Sequence, residues 1–470
     1  MSTESLRTDY LIIGSGAVGM AFADVLLADT AADIVMVDRH HGPGGHWNDA
    51  YPFVRLHQPS AYYGVNSRKL GGDAQDTVGW NIGMCERATG AELLAYYEST
   101  MQQFLASGRM RYFPMSEAVG SVEQGFHIRS LVSGEQRAVV FDKKVVDTTY
   151  LNTAVPSTHP PKYVVAPGLR CIPLNGLARV TAPPSGFVVI GAGKTGIDAC
   201  LWLLENRVAP DAICWIMPRD SWFLNRANVQ PGMEFFVQSL GAMATQMECI
   251  AQSQTVPDLF GKLEASGQLL RLDTSIEPTM YHAAVMSQAE LQALRQIRNI
   301  VRMGRVLRIE PDQMVLQHGT VATDAQRLYV DCSASAAELR PAVPIFQGQK
   351  IVPQFVRAFQ PTFSAALVAH LEATIEDEAI KNQLCGVVPP PDTPLSWLTM
   401  QAASMANSNQ WSKVKGLGKW ISESRLDGFS KLMRSVDPAD TEKLAVLQRF
   451  GAHAAPAAQR LRELLAQARG

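Results

Sequence analysis

Two stretches of the chain share one pattern of apolar and polar positions. Asp9–Leu27 (DYLIIGSGAVGMAFADVLL) and Ser185–Leu204 (SGFVVIGAGKTGIDACLWLL) each pass from a short β-branched apolar run through G-x-G-x-x-G into apolar residues at helical spacing. The pattern predicts strand, tight turn and helix in both. A second apolar run follows each helix, at Asp33–Asp38 and Ala212–Met217. Two such βαβ openings, about 180 residues apart, predict two dinucleotide sites. Between them, His40 to Gly83 reads as loop and Gly90–Leu105 as helix. Met110–Phe113, Gly125–Val132 and Gln136–Phe141 read as strands, and Pro156–Pro173 as a linker. A strand beginning near Arg327 closes in Asp331–Ser335 (DCSAS). Phe363–Glu376 is an amphipathic helix with Thr362 or Ser364 near its N-cap, Val388–Thr393 marks a break, and the remainder is helical.

Composition narrows the classes. A chain of 470 residues, 47% hydrophobic and 18% charged, is globular and long enough for two or three domains. Its net charge of −2 comes without a long basic run, so nucleic acid is not an expected partner. The 7 cysteines contain no CxxC pair, which leaves no zinc knuckle or dithiol centre to expect, and no metal. No apolar stretch is long enough to span a bilayer. The opening residues lack a charged-then-apolar leader, so a soluble, cytoplasmic protein is expected.

The glycines have separate tasks. Gly14 permits the tight turn, Gly16 lets backbone approach a pyrophosphate, and Gly19 lets helix pack on strand. The helix N-terminus then presents free N–H groups to the phosphates. Asp38, followed by Arg39, ends the second strand, where a carboxylate can accept the ribose hydroxyls. In the second unit Gly191, Gly193 and Gly196 repeat the turn, with Lys194 and Thr195 inside it. Arg219 follows that unit's second strand, where a guanidinium suits a 2′-phosphate; the adjacent Asp220 could pair with it or read a ribose. A further glycine loop, ending in Gly45, His46 and Trp47, allows close passage of a bulky planar ligand, as a flavin requires.

With these residues the chain resembles the flavin-containing and Baeyer–Villiger monooxygenase group. The likeness rests on the two glycine turns, Asp38, GGHW with the Tyr51-Pro52 that follows, the ELLAYYE helix and W-x-x-P-R, and covers roughly the first 225 residues. It implies an α/β fold of two Rossmann-like dinucleotide-binding domains with a helical C-terminal extension. The implied FAD-binding domain is discontinuous, 1–167 and 326–387; an NADP-binding-type domain fills 181–325, and a helical region 388–470. The implied cofactors are FAD and NADP. The implied reaction is NADPH-dependent transfer of one oxygen atom, through a flavin 4a-peroxide, to a small organic substrate, with dioxygen as co-substrate and a heteroatom as the preferred target. His57, Gln58 and Ser60 match the stretch that passes beside the flavin ring and are the candidate catalytic residues; Arg55 precedes them as a candidate for orienting NADP. A homodimer is the candidate assembly.

The chain departs from the group at several points. Cys171–Val180 lacks the Phe/His fingerprint before the second turn. Thr148-Thr149-Tyr150 and Asp331-Cys332-Ser333 stand where ATG-like crossings belong, and Phe359–Phe363 carries no Gly-Asp pair. The missing fingerprint withholds the Baeyer–Villiger assignment. It favours an alternative, an FAD-dependent oxidase or dehydrogenase with a weak or vestigial NADP site. A nucleotide-binding scaffold or sensor is the alternative of another class. The absence of paired cysteines argues against disulfide reductases, and the absence of W-x-W-x-I-P against flavin halogenases. Gln230–Tyr281 is rich in Met and aromatic residues and reads as core or as the lining of an apolar pocket. Trp411–Arg434, basic with apolar residues at helical spacing, reads as a lid or packing helix, or as one that meets a membrane surface or a carrier partner.

Overall fold

A computed structural model describes residues 5–151, 155–333 and 340–468; the Ala334-Ser335 end of the DCSAS segment lies outside them. Strand β1 (Leu6–Ile13) leads through the first glycine turn into helix α1 (Ala17–Asp29), and the chain returns as β2 (Ile34–Val37), parallel to β1. All four residues of β2 are buried, as expected of a parallel strand covered on both faces. Apolar residues surround α1 because it is covered twice, by the sheet and by the helix Pro361–Thr374. Helix α2 (Gly90–Ala106) starts at a capping box in which Thr89 accepts the Glu92 N–H and the Glu92 carboxylate accepts that of Thr89. Strand β3 (Met110–Phe113) pairs with β2; β4 (Ser116–Ser121) and β5 (Gly125–Ser130) form a hairpin, and β6 (Gln136–Asp147) lies parallel to β1. β6 continues past the expected Phe141. β4 (SEAVGS) was not expected because it carries no run of alternating apolar residues.

The second unit is a five-stranded parallel sheet in the order Asn299–Val301, Ile213–Ile216, Phe187–Ile190, Leu328–Asp331, Arg170–Pro173. Helix α3 (Lys194–Glu205) follows its glycine turn. The chain then returns to the first sheet, where Lys350–Ile351 pairs in parallel with β6. Two stretches depart from the sequence reading. Arg170–Pro173, placed in the linker, is an edge strand of the second sheet, and Leu328–Asp331, placed with the first unit, belongs to the second. The helix Pro361–Thr374 is capped at Gln360, not at Thr362 or Ser364. Those two side chains lie buried in its first turn, where Ser364 Oγ accepts the Val356 N–H at 3.1 Å.

The helical C-terminal region covers both units. Met247, Phe260 and Tyr281 are core: they pack with Trp222, Trp397 and Leu461 beneath the helices Pro394–Trp411 and Thr441–Gln467. Of the basic stretch, Trp411, Leu417 and Ile421 are buried in the first unit's core, so its apolar face meets protein. Arg425 donates to the carbonyls of Ala61, Tyr63 and Val65. Arg357 pairs with the buried Asp427 at 2.7 Å and lies 3.8 Å above the Phe363 ring. Among the described residues, no helix is long and apolar enough to cross a membrane.

Helix and turn meet without spare volume in the second unit. A Cβ on Gly196 would fall 2.1 Å from the Gly191 carbonyl oxygen, whereas one on Gly193 would meet nothing within 4 Å. Gly196→Ala is therefore expected to lower the unfolding free energy by roughly 1–3 kcal/mol, and Gly193→Ala to change it by less than about 0.5 kcal/mol. Urea denaturation midpoints check both.

Candidate functional site

In the first unit Gly14 adopts φ +99° and donates its N–H to the Val37 carbonyl at 2.8 Å, joining the turn to the end of β2. A Cβ on Gly19 would fall 2.0 Å from the Gly14 oxygen. No side chain caps α1, whose N-cap is Gly16, so its first N–H groups are left for an anion. The facing wall is also backbone: a Cβ on Gly16 would lie 3.5 Å from the Gly45 Cα, and Gly44 donates to the Ser15 carbonyl at 2.9 Å. This cradle of main-chain atoms fits a pyrophosphate. Beside it, Trp47 donates from Nε1 to the Tyr63 hydroxyl at 3.1 Å, and burial lowers the pKa of His46 to about 4, which keeps its ring neutral. Arg39 is exposed.

Asp38 is more heavily engaged than a ribose-binding acid needs to be. Its Oδ2 accepts the Ser15 N–H at 2.5 Å and the Ser15 hydroxyl at 2.9 Å. Its Oδ1 accepts the His40 N–H and Nδ1, each at 2.8 Å. Nε2 of the same imidazole meets Asp49 at 2.8 Å. Burial would raise the Asp38 carboxyl, but the bonds from His40 and Ser15 outweigh it, and the group titrates below the usual carboxylate range. The hydrogen bond to Asp38, helped by that to Asp49, raises His40 to about 9, so both ring nitrogens donate at neutral pH. His40 and Asp49 carry no glycine-turn signature and escaped the sequence reading.

The loop-rich stretch from His40 to Gly83 docks on the second unit through buried polar contacts. Arg226, 3% exposed, pairs with Glu290 and donates to Asn81 Oδ1 at 2.6 Å and the Val285 carbonyl at 2.6 Å. Asn81 donates to Glu290 at 2.9 Å. Tyr51 donates to Asp198 at 2.5 Å, and Lys194 pairs with the same carboxylate. His57 Nδ1 accepts the Val285 N–H at 3.3 Å, which leaves the ring proton on Nε2. Burial, then the charges of Lys194, Arg226 and Arg87, hold His57 well below its ordinary pKa, so it is neutral. Gln58, beside it, is partly buried. Ser60 is differently placed. Its hydroxyl donates to the Glu86 carbonyl and accepts the Ala88 N–H at 2.8 Å, so it fixes the loop. Arg55 donates to the Arg87 carbonyl at 3.1 Å. Arg226, Glu290 and Asn81 sit in no motif, and only the tertiary contact reveals them.

In the second unit the turn again presents an uncapped helix, with Gly193 as N-cap and open space beside it. Burial lowers the pKa of Lys194, and Asp198 partly restores it. Thr195 lies in the first turn of α3. Arg219 makes a bidentate pair with Asp392, at 2.6 and 3.0 Å, and Asp220 pairs with Arg302 at 2.8 and 3.0 Å, not with Arg219. The departures at the crossings now have a physical role. Thr148 Oγ1 donates to the Ile13 carbonyl at 2.7 Å against the first turn, and a Cβ on Gly191 would lie 2.3 Å from the Cys332 carbonyl oxygen against the second. Among the described residues, no cluster of three or more His, Cys, Asp or Glu side chains could hold a metal ion.

The Asp38–His40–Asp49 relay has a pH signature. Its His40 pKa lies above the unfolded value of about 6.5, so the stabilisation it contributes is complete below that pH and is lost as pH rises toward 9. The melting temperature of the native chain should therefore fall between pH 6.5 and 9 by more than that of His40→Asn. Parallel melting curves across this range check the difference.

Residues 12–65 match the NAD(P)-binding Rossmann-like domain family. In whole-chain structure the protein is similar to a closed cyclohexanone monooxygenase, with TM-score 0.50 and 11% identity over 96% of this chain and 98% of that one. A flavin-containing monooxygenase from Stenotrophomonas maltophilia aligns with TM-score 0.46 and 14% identity, over 78% of this chain and 98% of its own. The first of these likenesses shows a shared two-dinucleotide fold. In sequence, uncharacterized proteins of Mycobacterium tuberculosis (Rv2000) and Mycobacterium bovis (Mb2023) are each 45% identical over 463 residues, 98% of this chain and 85% of theirs. The chain belongs to the same family as these mycobacterial proteins.

Proposed function

We propose that the chain is a flavin-dependent oxidoreductase that binds FAD in its first unit and NADP in its second, and that it acts as a monooxygenase on a heteroatom of a small organic substrate. The observation that carries the reading is the pair of glycine turns, each leading into a helix without a side-chain cap, joined by a loop that docks His57 against the second unit. The fold shared with a cyclohexanone monooxygenase supports it.

In this reading Gly14, Gly16 and Gly19 with the first N–H groups of α1 hold the FAD pyrophosphate. Asp38 and Arg39 lie toward the adenosine ribose, and Gly45, His46 and Trp47 line the passage to the ring. Gly191, Gly193, Lys194, Thr195 and Gly196 receive the NADP pyrophosphate, with Arg219 toward its ribose. Bound FAD would supply hydride acceptance from NADPH and activation of dioxygen. His57 holds a proton at Nε2 that it can donate in a hydrogen bond, and its depressed pKa keeps the neighbourhood from gaining a further positive charge. Gln58 offers an amide beside it. Ser60 acts as a positioning residue through the Glu86–Ala88 turn. Arg226, itself held by Glu290 and Asn81, donates from Nε to the His57 carbonyl at 3.3 Å and so keeps that residue in place.

Two measurements test the reading. The purified protein should be yellow with one flavin per chain, and Gly16→Val, whose branches enter the backbone cradle, should be colourless. Rapid bleaching of the flavin by NADPH without oxygen, and oxygen consumption when air is restored, are expected. Yellow protein that NADPH leaves unbleached would favour the oxidase, a reading that the engagement of Arg219 by Asp392 also supports.

A further inference from the structure

Arg219 is the one guanidinium that the sequence offers to a 2′-phosphate, and it is already occupied. Its two terminal nitrogens grip the two oxygens of Asp392 in the fork-to-fork geometry in which a phosphate would be gripped. His282 adds a third bond, Nε2 to Oδ1 at 2.7 Å. The carboxylate is firmly mounted: the Asp392 N–H donates to Ser396 Oγ at 2.8 Å, and its carbonyl accepts the Tyr281 N–H at 3.0 Å, just ahead of the capping box of the helix Pro394–Trp411. The pair is also open to solvent, with 37% of the Arg219 side chain and 29% of that of Asp392 exposed, so a nucleotide can reach it.

The surroundings give an incoming dianion little help. Arg302, at the end of the neighbouring strand, is engaged by Asp220 and lies 3.3 Å from Asp273. Two guanidiniums thus face three carboxylates at the strand ends where the adenosine ribose of a dinucleotide lies. A 2′-phosphate gains the Nη1–Nη2 edge of Arg219 only when the Asp392 carboxylate leaves.

We propose that Asp392 is a specificity-determining residue of the second nucleotide site. Its carboxylate competes with the 2′-phosphate for the same edge of Arg219 and holds phosphorylated and unphosphorylated adenine dinucleotides close in affinity. The inference rests on the reading of the second glycine turn as a dinucleotide site. It adds that a residue of the C-terminal region, remote in sequence from that turn, sets the coenzyme preference.

The test is direct binding of 2′,5′-ADP and 5′-AMP by calorimetry, with no turnover required. The native chain should bind the two within roughly threefold of each other. Asp392→Asn keeps the size and polarity of the side chain and should tighten 2′,5′-ADP by about tenfold or more, with 5′-AMP changed by less than about twofold. Arg219→Ala should cost little 2′,5′-ADP affinity in the native background and about tenfold in the Asp392→Asn background, a coupling that a merely structural pair would not produce. Unchanged or weakened 2′,5′-ADP binding by Asp392→Asn, with 5′-AMP still bound, would overturn the competition and leave the dinucleotide site standing. Failure of both nucleotides to bind any of these proteins would overturn the site and the competition together.

Discussion

Both units depend on one constraint, the approach of a helix to the carbonyl of the glycine that opens its turn. At Gly19 and Gly196 a side-chain carbon would come within 2.0 and 2.1 Å of the oxygens of Gly14 and Gly191. Only a hydrogen at these positions lets α1 and α3 lie close to their sheets, each with its uncapped end at its own turn. The interval between turn and sheet is closed from the other side by the segments that cross between the units, with Thr148 on the first turn and Cys332 on the second. The crossings therefore brace the uncapped ends of the helices as well as connecting two sheets.

The second structural theme is ionic. Arg226 and Glu290 are almost wholly buried, and removal of either partner from such a pair leaves an uncompensated charge in the interior, which costs roughly 3–5 kcal/mol. Their cost of burial is offset by Asn81 and the Val285 carbonyl, one from each unit. The loop between His40 and Gly83 is thus shared: Gly44 and Gly45 face the first turn, while Tyr51, His57 and Asn81 face the second unit. His57 is held from below by a main-chain N–H of that unit, which fixes its tautomer as well as its position.

The glycine turns, their strands and the span of α2 were legible because each rests on local rules: a backbone conformation that glycine favours and a period of apolar residues. The fold class followed from these. What escaped depended on distance. Arg170–Pro173 looks like a proline-rich connection until a parallel neighbour appears at Leu328–Asp331. Thr362 and Ser364 are good capping residues by type, yet the helix begins at Pro361, whose fixed φ suits the first turn, and draws both hydroxyls inside. In the candidate site, the residues of the two glycine turns were readable, whereas Asp49, Asp392 and the Val285 N–H, which engage His40, Arg219 and His57, come from positions with no fixed spacing to them. The sequence offered Ser60 as a candidate catalytic residue and not as a brace, because its bonds are set by the turn at Glu86–Ala88.

Arg425 reaches back across more than 350 residues of chain to tie down the carbonyls of Ala61, Tyr63 and Val65. These three carbonyls belong to the loop that follows His57, and among the described residues no nearer part of the sequence supplies their donors. During synthesis the N-terminal sheet can form as soon as β6 has emerged, since β1 to β6 all precede Thr148 and only the short return near Lys350 comes late. The loop cannot be completed then. It waits for nearly the last tenth of the chain, so its ordering is among the final events of folding, and a ribosome-bound chain stopped before Arg425 would hold a formed sheet beneath an unfinished site.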